Sequence, residues 1–292
     1  MTRSNKAQVR ITQIRNGEIS HLNKRDTVVT EEPLEIRLVA GSDSRQLAVT
    51  MRTPGNDFEL ATGFLFSEGI IESRDEISHI SYCVDLDLSE AQKYNVVNVR
   101  LRSEKLPDIE HLNRHFFTTS ACGVCGKTSI DALETRGLAS ITSENAIPMS
   151  VICDLDDKLR QHQRLFEHTG GLHAVGLFDE QGELLIVRED VGRHNAMDKV
   201  IGWALHNNHI PLSNTIALVS GRASFELVQK ALSACIPILC AVSAPSSLAI
   251  DLARRFNLTL IGFLRGDNFN IYTSPQRIVA QDSTRHFDPN NV

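Results

Sequence analysis

No apolar run in this chain approaches the roughly 18 residues that a membrane-crossing helix requires. The stretch from Met1 to Gly17 is polar and mildly basic, without the apolar core of a secretory signal. Positive charge is not in surplus either. Lys and Arg number 30 against 36 Asp and Glu, a formal net charge of -6, which is the wrong sign for a dedicated nucleic-acid binder, though it leaves room for a local basic pocket. Internal repeats and low-complexity tracts are missing as well. These absences point to a cytoplasmic globular protein with no nucleic-acid or membrane partner. Its 41% apolar and 23% charged residues are ordinary for that class, and 292 residues suffice for one large domain or two modest ones.

A cytoplasmic chain is not expected to spend its six cysteines on structural disulfides. Cys83, Cys153, Cys235 and Cys240 lie among apolar neighbours and read as small hydrophobes. Cys122 and Cys125 differ. They sit in Thr118-Thr-Ser-Ala-Cys-Gly-Val-Cys-Gly-Lys127, where nothing is bulky and a glycine follows each sulfur. A structural zinc site needs four ligands, and no second pair is visible; Cys235 and Cys240 fall within or beside a strand. No histidine follows Cys125, which excludes covalent haem attachment, and the small flanking residues fit a loop better than the strand end of a thioredoxin-like motif. Nucleophilic sulfur transfer remains, with Lys127 and a helix beginning just beyond favouring the thiolate. The bland alternative is an exposed turn with incidental thiols.

Along the chain, residues 1–19 read as a flexible tail and 20–115 as a small α+β subdomain. Alternation over Leu34–Ala40 and Gln46–Met51 predicts a hairpin. Leu60, Phe64 and Leu65 mark a helix from about Glu59 to Phe66, and Tyr94–Leu101 alternates as a strand. The cysteine segment occupies 116–145, with a short helix expected from about Thr128 to Arg136. The domain from 146 to 282 opens with a helix over Leu155–Phe166 that Gly170-Gly171 stops, and 283–292 is a tail. Within that domain five apolar runs, His173–Phe178, Leu184–Val187, Thr215–Ser220, Ile236–Val242 and Leu258–Phe263, interleave with helices on Asp198–Asn207, Ser224–Cys235 and Ser247–Phe256. Such interleaving predicts an α/β layer around a largely parallel sheet.

Ligands collect outside the C-terminal ends of strands in open α/β sheets. The runs are followed there by Arg188-Glu-Asp-Val-Gly-Arg-His-Asn195, Ser220-Gly-Arg222, Ser243-Ala-Pro-Ser-Ser247 and Leu264-Arg-Gly-Asp-Asn268. Asn195 and Asp198 are spaced like a helix N-cap and its partner acid. Helix N-termini together with the guanidinium groups of Arg193, Arg222 and Arg265 suit a phosphate or pyrophosphate. The plain alternative is that these arginines pair with acids such as Glu189 and Asp190. Taken together, the four ends predict an anionic, nucleotide-like ligand.

Several of these segments resemble one family closely: Ser120-Ala-Cys122-Gly-Val-Cys125-Gly, Thr169-Gly-Gly-Leu-His173-Ala, Glu189-Asp-Val-Gly-Arg-His-Asn-Ala-Met-Asp-Lys199, Ser220-Gly-Arg222, Ser243-Ala-Pro245, Ile271-Tyr-Thr-Ser-Pro-Gln-Arg277 and Leu60-Ala-Thr-Gly-Phe-Leu-Phe-Ser-Glu-Gly69. With them the chain resembles the formate dehydrogenase accessory sulfurtransferases, FdhD, over nearly its whole length. The resemblance implies a homodimeric enzyme that takes persulfide sulfur from a cysteine desulfurase. It would pass the sulfur to molybdenum bis(molybdopterin guanine dinucleotide) for formate dehydrogenase, and a guanine nucleotide is expected to mimic this acceptor. By position Cys122 would carry the persulfide, with Cys125 as its loop partner, either stabilising the persulfide or releasing the sulfur by forming a disulfide. Phe263, Leu264, Arg265, Gly266, Asp267 and Asn268 match the family's cofactor-binding stretch, and Arg193, His194 and Arg222 are added here from the strand-end argument. The alternative from another class is a non-catalytic chaperone for the same cofactor.

The implied fold is α/β (α+β overall): a cytidine-deaminase-like three-layer domain with a smaller N-terminal α+β subdomain. Zinc deamination itself is not expected. His173-Ala-Val175 and Pro245-Ser-Ser-Leu-Ala249 stand where deaminases carry H-x-E and P-C-x-x-C, without the glutamate or either cysteine.

Overall fold

A computed structural model describes residues 4–83, 90–107, 130, 133, 138–143 and 145–280 of the chain. Cys122, Cys125, the tail over 283–292 and nearly all of the helix expected from Thr128 lie outside the described residues.

The chain opens with β1 (Lys6–Arg15) and β2 (Glu18–Val29), an antiparallel two-stranded ribbon. This corrects the expected tail over 1–19. The signal was Asn16-Gly17, both with positive φ (52° and 83°), the dipeptide that closes a tight hairpin. Ile14, Ile19 and Leu22 remain exposed along the ribbon.

The N-terminal unit follows. β3 (Glu32–Ala40) and β4 (Asp43–Arg52) form the expected hairpin, and α1 (Asp57–Ser67), β5 (Ile77–Tyr82), α2 (Glu90–Lys93) and β6 (Val96–Leu101) complete it. The sheet runs β4-β3-β6-β5. Its inner face supplies Leu34, Ile36, Leu38, Val97 and Val99, which pack against Leu60, Ala61 and Leu65 of α1. Arg52, fully buried, closes the unit with a bidentate pair to Asp57 at 3.0 and 2.9 Å.

After β7 (Ile147–Pro148) come α3 (Met149–His162) and α4 (Arg164–Thr169), so the helix expected over Leu155–Phe166 starts earlier and breaks at Gln163. The main sheet is built from β8 (His173–Asp179), β9 (Leu184–Asp190), β10 (Thr215–Val219), β11 (Ile238–Ala241), β12 (Thr259–Arg265) and β13 (Asn268–Thr273), with α5 (Arg193–His206), α6 (Phe225–Ser233) and α7 (Ser247–Arg255) between; β14 (Ile278–Val279) pairs with β7. The spatial order is β13-β12-β11-β10-β8-β9. Only β10, β11 and β12 are mutually parallel, while β8, β9 and β13 run antiparallel to their neighbours. The sheet is therefore mixed rather than largely parallel. The link from β8 to β9 is far too short for the dozen or more residues of a parallel crossover.

Both faces of this sheet are covered. Val175, Leu177, Ala217, Val219, Leu239 and Leu260 meet α5, α6 and α7; Ala174, Phe178, Ile216, Leu218, Ile238, Cys240 and Ile261 meet Ile152, Leu155 and Leu159 of α3. Strands buried on both faces read as continuous apolar runs, which is why they were visible in the sequence. The result is the expected three-layer domain with a smaller α+β unit attached.

The two units meet where α1 crosses α5. A Cβ on Gly63 would lie 1.9 Å from the Asp198 carbonyl oxygen, and one on Gly202 would lie 1.9 Å from that of Glu59. Only glycine permits this approach. Around it, Arg188 pairs with Glu59, Ser67 Oγ donates to Asp198 Oδ1 at 3.1 Å, and the Thr62 hydroxyl meets His206 Nε2 at 2.9 Å.

Candidate functional site

The C-terminal ends of β10, β11 and β12 lie side by side, and backbone pairing continues past the strands themselves. Ser243 N donates to Gly221 O at 3.3 Å, Ser246 N to Ala223 O at 3.0 Å, and Phe263 N to Ser243 O at 3.3 Å. Because β8 runs the other way, it begins at this edge. Ala174 N donates to Ser220 Oγ and Ser220 N to Ala174 O, both at 2.9 Å. β9 ends beside it, with Asp190 opposite His173. All four sequence-predicted ends therefore share one edge.

Arg193, one of the predicted residues, meets His173 at Gly221, the neighbour of Arg222. A Cβ there would lie 3.2 Å from His173 Nδ1 and 3.8 Å from Arg193 Cδ, so glycine keeps the edge open between an imidazole and a guanidinium. Arg193 Nε is buried and has no hydrogen-bond partner. Next to it, His194 Nε2 lies 2.9 Å from Ser224 Oγ and 3.1 Å from Glu226 Oε2. Burial, then Arg193 and Lys230, pull the His194 pKa down to about 3, outweighing the exposed Glu226; burial and Arg193 also lower that of His173. Both rings are thus neutral at neutral pH, and they border the charges of Arg193 on one side and Glu226 on the other.

Arg222 follows Gly221 and is exposed. Among the described residues, neither Arg193, Arg222 nor Arg265 forms an ion pair, so the plain pairing with Glu189 and Asp190 does not hold. Glu189 instead accepts from the backbone N–H groups of Leu165 and Phe166 at 3.0 and 2.9 Å. Ser224 is the N-cap of α6 but makes no capping bond, its hydroxyl being turned to His194. This leaves the first N–H groups of a nine-residue helix without a side-chain cap beside Arg222. Free guanidinium groups, uncapped N–H groups and neutral imidazoles are equipped to hold an anion.

Phe263–Asn268 lies further along the same edge, two strand spacings or about 10 Å from Gly221. Phe263 is 47% exposed and holds a positive φ of 55°. Leu264 turns into the core on the α3 side. Arg265, Gly266, Asp267 and Asn268 form the exposed turn into β13, and Asp267 reaches the Cys153 thiol, whose pKa rises through burial and that contact. Among the described residues no hydrogen bond or ion pair joins this turn to Arg193, His194 or Arg222.

The segment following the cysteines returns at 138–143 and is tied to the start of β12. Ile141 N donates to Phe256 O at 2.9 Å, Asn257 Nδ2 to Ile141 O at 2.8 Å, and the fully buried Arg277 to Ser143 O at 2.8 Å. Sequence reasoning also missed how the Glu189–Lys199 stretch is used. Asn195 is not the cap of α5, because the helix begins at Arg193 with Gly192 as its N-cap. The Asn195 side chain instead joins a buried network around Asp190 and Lys199. No local pattern announces such a network, since its members beyond this stretch are the distant Thr50, Met51 and Thr53.

Comparison with known proteins matches residues 29–279 to the model of the FdhD/NarQ family. The chain belongs to this family. It is 52% identical over 275 residues to the sulfur carrier protein FdhD of Streptomyces avermitilis, covering 93% of this chain and 95% of that one. The protein of the same name from Sulfurisphaera tokodaii is 43% identical over 272 residues, covering 93% and 98%. Among solved structures, one described as a formate dehydrogenase accessory protein from Desulfotalea psychrophila superposes with a TM-score of 0.72 at 26% identity, covering 94% of this chain and all of that one. The family match begins at the last residue of β2, so the rest of the β1–β2 ribbon precedes it. Among the described residues no helix is long and apolar enough to cross a membrane.

Proposed function

We propose that this protein is a sulfur carrier and sulfurtransferase serving formate dehydrogenase. Cys122 thiolate attacks the outer sulfur of a persulfide on a cysteine desulfurase; the donor's S–S bond breaks, its thiolate leaves, and Cys122 becomes the persulfide. The acceptor is molybdenum bis(molybdopterin guanine dinucleotide), a substrate held at the strand-end edge. Delivery at the oxidation level of sulfide needs two electrons, and Cys125 supplies them by attacking the inner sulfur, which releases hydrosulfide and leaves a Cys122–Cys125 disulfide. The protein works in the cytoplasm as a homodimer.

The observation that carries this reading is the edge itself: among the described residues Arg193 Nε is buried without a partner, Arg222 makes no ion pair and α6 starts without a side-chain cap, a combination suited to a pyrophosphate. The names of the relatives agree with it, since they are called sulfur carrier proteins. Arg193, Arg222 and the α6 N-terminus would hold the phosphates, with neutral His194 and His173 as uncharged hydrogen-bonding neighbours. Phe263 and the turn over Arg265–Asn268 border the same edge for the rest of the dinucleotide.

Intact mass after incubation with a cysteine desulfurase and cysteine tests the carrier role. The parent gains one sulfur that reductant removes, and Cys122→Ala gains none. Uptake by Cys122→Ala refutes the assignment, and no uptake by the parent leaves only a cofactor-binding chaperone.

A further inference from the structure

The Glu189–Lys199 motif divides by direction. Arg193 and His194 border the open edge, while Asp190, Asn195 and Lys199 are buried and turned toward the N-terminal sheet. Asp190, with no exposed surface, has four donors. Its Oδ1 accepts from Gly192 N and Asn195 Nδ2, both at 2.9 Å, and its Oδ2 accepts from Thr53 N at 3.2 Å and pairs with Lys199 Nζ at 2.7 Å. Lys199 Nζ also donates to Thr53 O at 3.0 Å, and Val191 N donates to Thr53 Oγ1 at 3.2 Å. Asn195 also reaches across the boundary between the units. Its Nδ2 also donates to Met51 O at 2.8 Å, and its Oδ1 accepts from Thr50 Oγ1 at 3.1 Å.

This network grips Val191 and Gly192, the two residues between β9 and α5, from both sides, and the first helical residue after them is Arg193. A guanidinium arrives at the edge in one position only if the turn below it does. The unpartnered Arg193 Nε shows the need: no neighbour in the edge fixes the side chain through that nitrogen.

We infer that Thr50 and Asn195 are positioning residues for the anion site, and that strand β4 of the N-terminal sheet holds Arg193 in register through them. The inference rests on the strand-end edge being the acceptor site. Thr50 touches neither Arg193 nor the edge, so any effect it has on binding passes through Asn195 and the turn.

The test is a double-mutant cycle, reading the affinity of the full chain for GDP and for inorganic pyrophosphate by calorimetry well below the unfolding temperature. Thr50→Val keeps the shape and removes one hydrogen bond of ordinary net strength, which corresponds to binding about five-fold weaker; Thr50→Ser restores the parent value. In an Arg193→Ala background, Thr50→Val has no further effect, because the group it positions is gone. Ile36→Val, in the core of the same unit, lowers the melting temperature without changing either affinity. Unchanged binding by Thr50→Val, an additive cycle, or an equal loss in Ile36→Val overturns the positioning role while leaving the acceptor reading intact. A parent that binds neither probe, or binds both without regard to Arg193 and Arg222, overturns both.

Discussion

Replacing Gly202 by alanine sets two effects of opposite sign against each other. In an ordinary helix interior the change stabilises by about 1 kcal/mol, since glycine is the poorer helix former. Here the new Cβ would lie 1.9 Å from the Glu59 carbonyl oxygen and 2.6 Å from its carbon, against the roughly 3.3 Å of a close carbon–oxygen contact. Helices α1 and α5 must therefore separate by more than 1 Å. That movement loosens the Ser67–Asp198 and Thr62–His206 contacts, each worth about 1 kcal/mol net, and overpacking adds about 1–3 kcal/mol. The clash wins, and Gly202→Ala destabilises by about 2–4 kcal/mol. Urea unfolding followed by circular dichroism reads this directly, with a lower midpoint and an unchanged slope. Gly63→Ala acts on the same gap, so the double variant costs less than the sum of the singles. A Gly202→Ala protein as stable as the parent, or more so, would show that the two helices do not cross in backbone contact.

The remaining predictions concern His194 and Arg277. Burial together with Arg193 and Lys230 lowers His194 to about 3, whereas an unfolded histidine titrates near 6.5. The unfolded chain therefore takes up the proton first, and the stability tied to neutral His194 is complete above about pH 6.5 and drains away as pH falls toward 3. With 31% of the side chain exposed, screening trims the loss to about 1 kcal/mol at pH 5.5; His194→Gln flattens that part of the stability–pH curve, and an unaltered curve refutes the assignment. Arg277 is fully buried and donates to the carbonyls of Ser143 and Asn257 and to Thr259 Oγ1 at 2.8, 2.7 and 3.1 Å. Lysine cannot reproduce that planar fork, so Arg277→Lys lowers stability by about 2–4 kcal/mol in the same urea assay, and a loss under 1 kcal/mol would show that the fork is not needed.

The parts of the fold that were legible are those whose cause is local. Fully buried strands such as Thr215–Val219 announce themselves as apolar runs, and α1 by the stripe through Leu60 and Leu65. The β1–β2 ribbon carries an equally local signal in Asn16-Gly17, but its strands are polar and exposed and show no buried apolar face. The direction of β9 followed from the short link after Asp179, not from its composition. What no local pattern carried is the traffic between distant segments: Arg188 with Glu59, Asp198 with Ser67 and Lys230, Asn195 with Thr50. A buried carboxylate such as Asp198 is tolerable only because a cation, Lys230 at 2.8 Å, comes to it from another helix, and the sequence around Asp198 does not say which.

The same logic separates the candidate site into two kinds of residue. Asp190, Asn195 and Lys199 belong to the same motif as Arg193, yet their polar atoms are already satisfied inside the protein. Arg193 and Arg222, the arginines that the strand ends single out, are the ones left with donors to spare among the described residues. Where a dense polar motif closes a strand and opens a helix, the residues with unspent hydrogen bonds are the ones to test against a ligand. The satisfied ones are to be tested against the element that satisfies them, which here is β4.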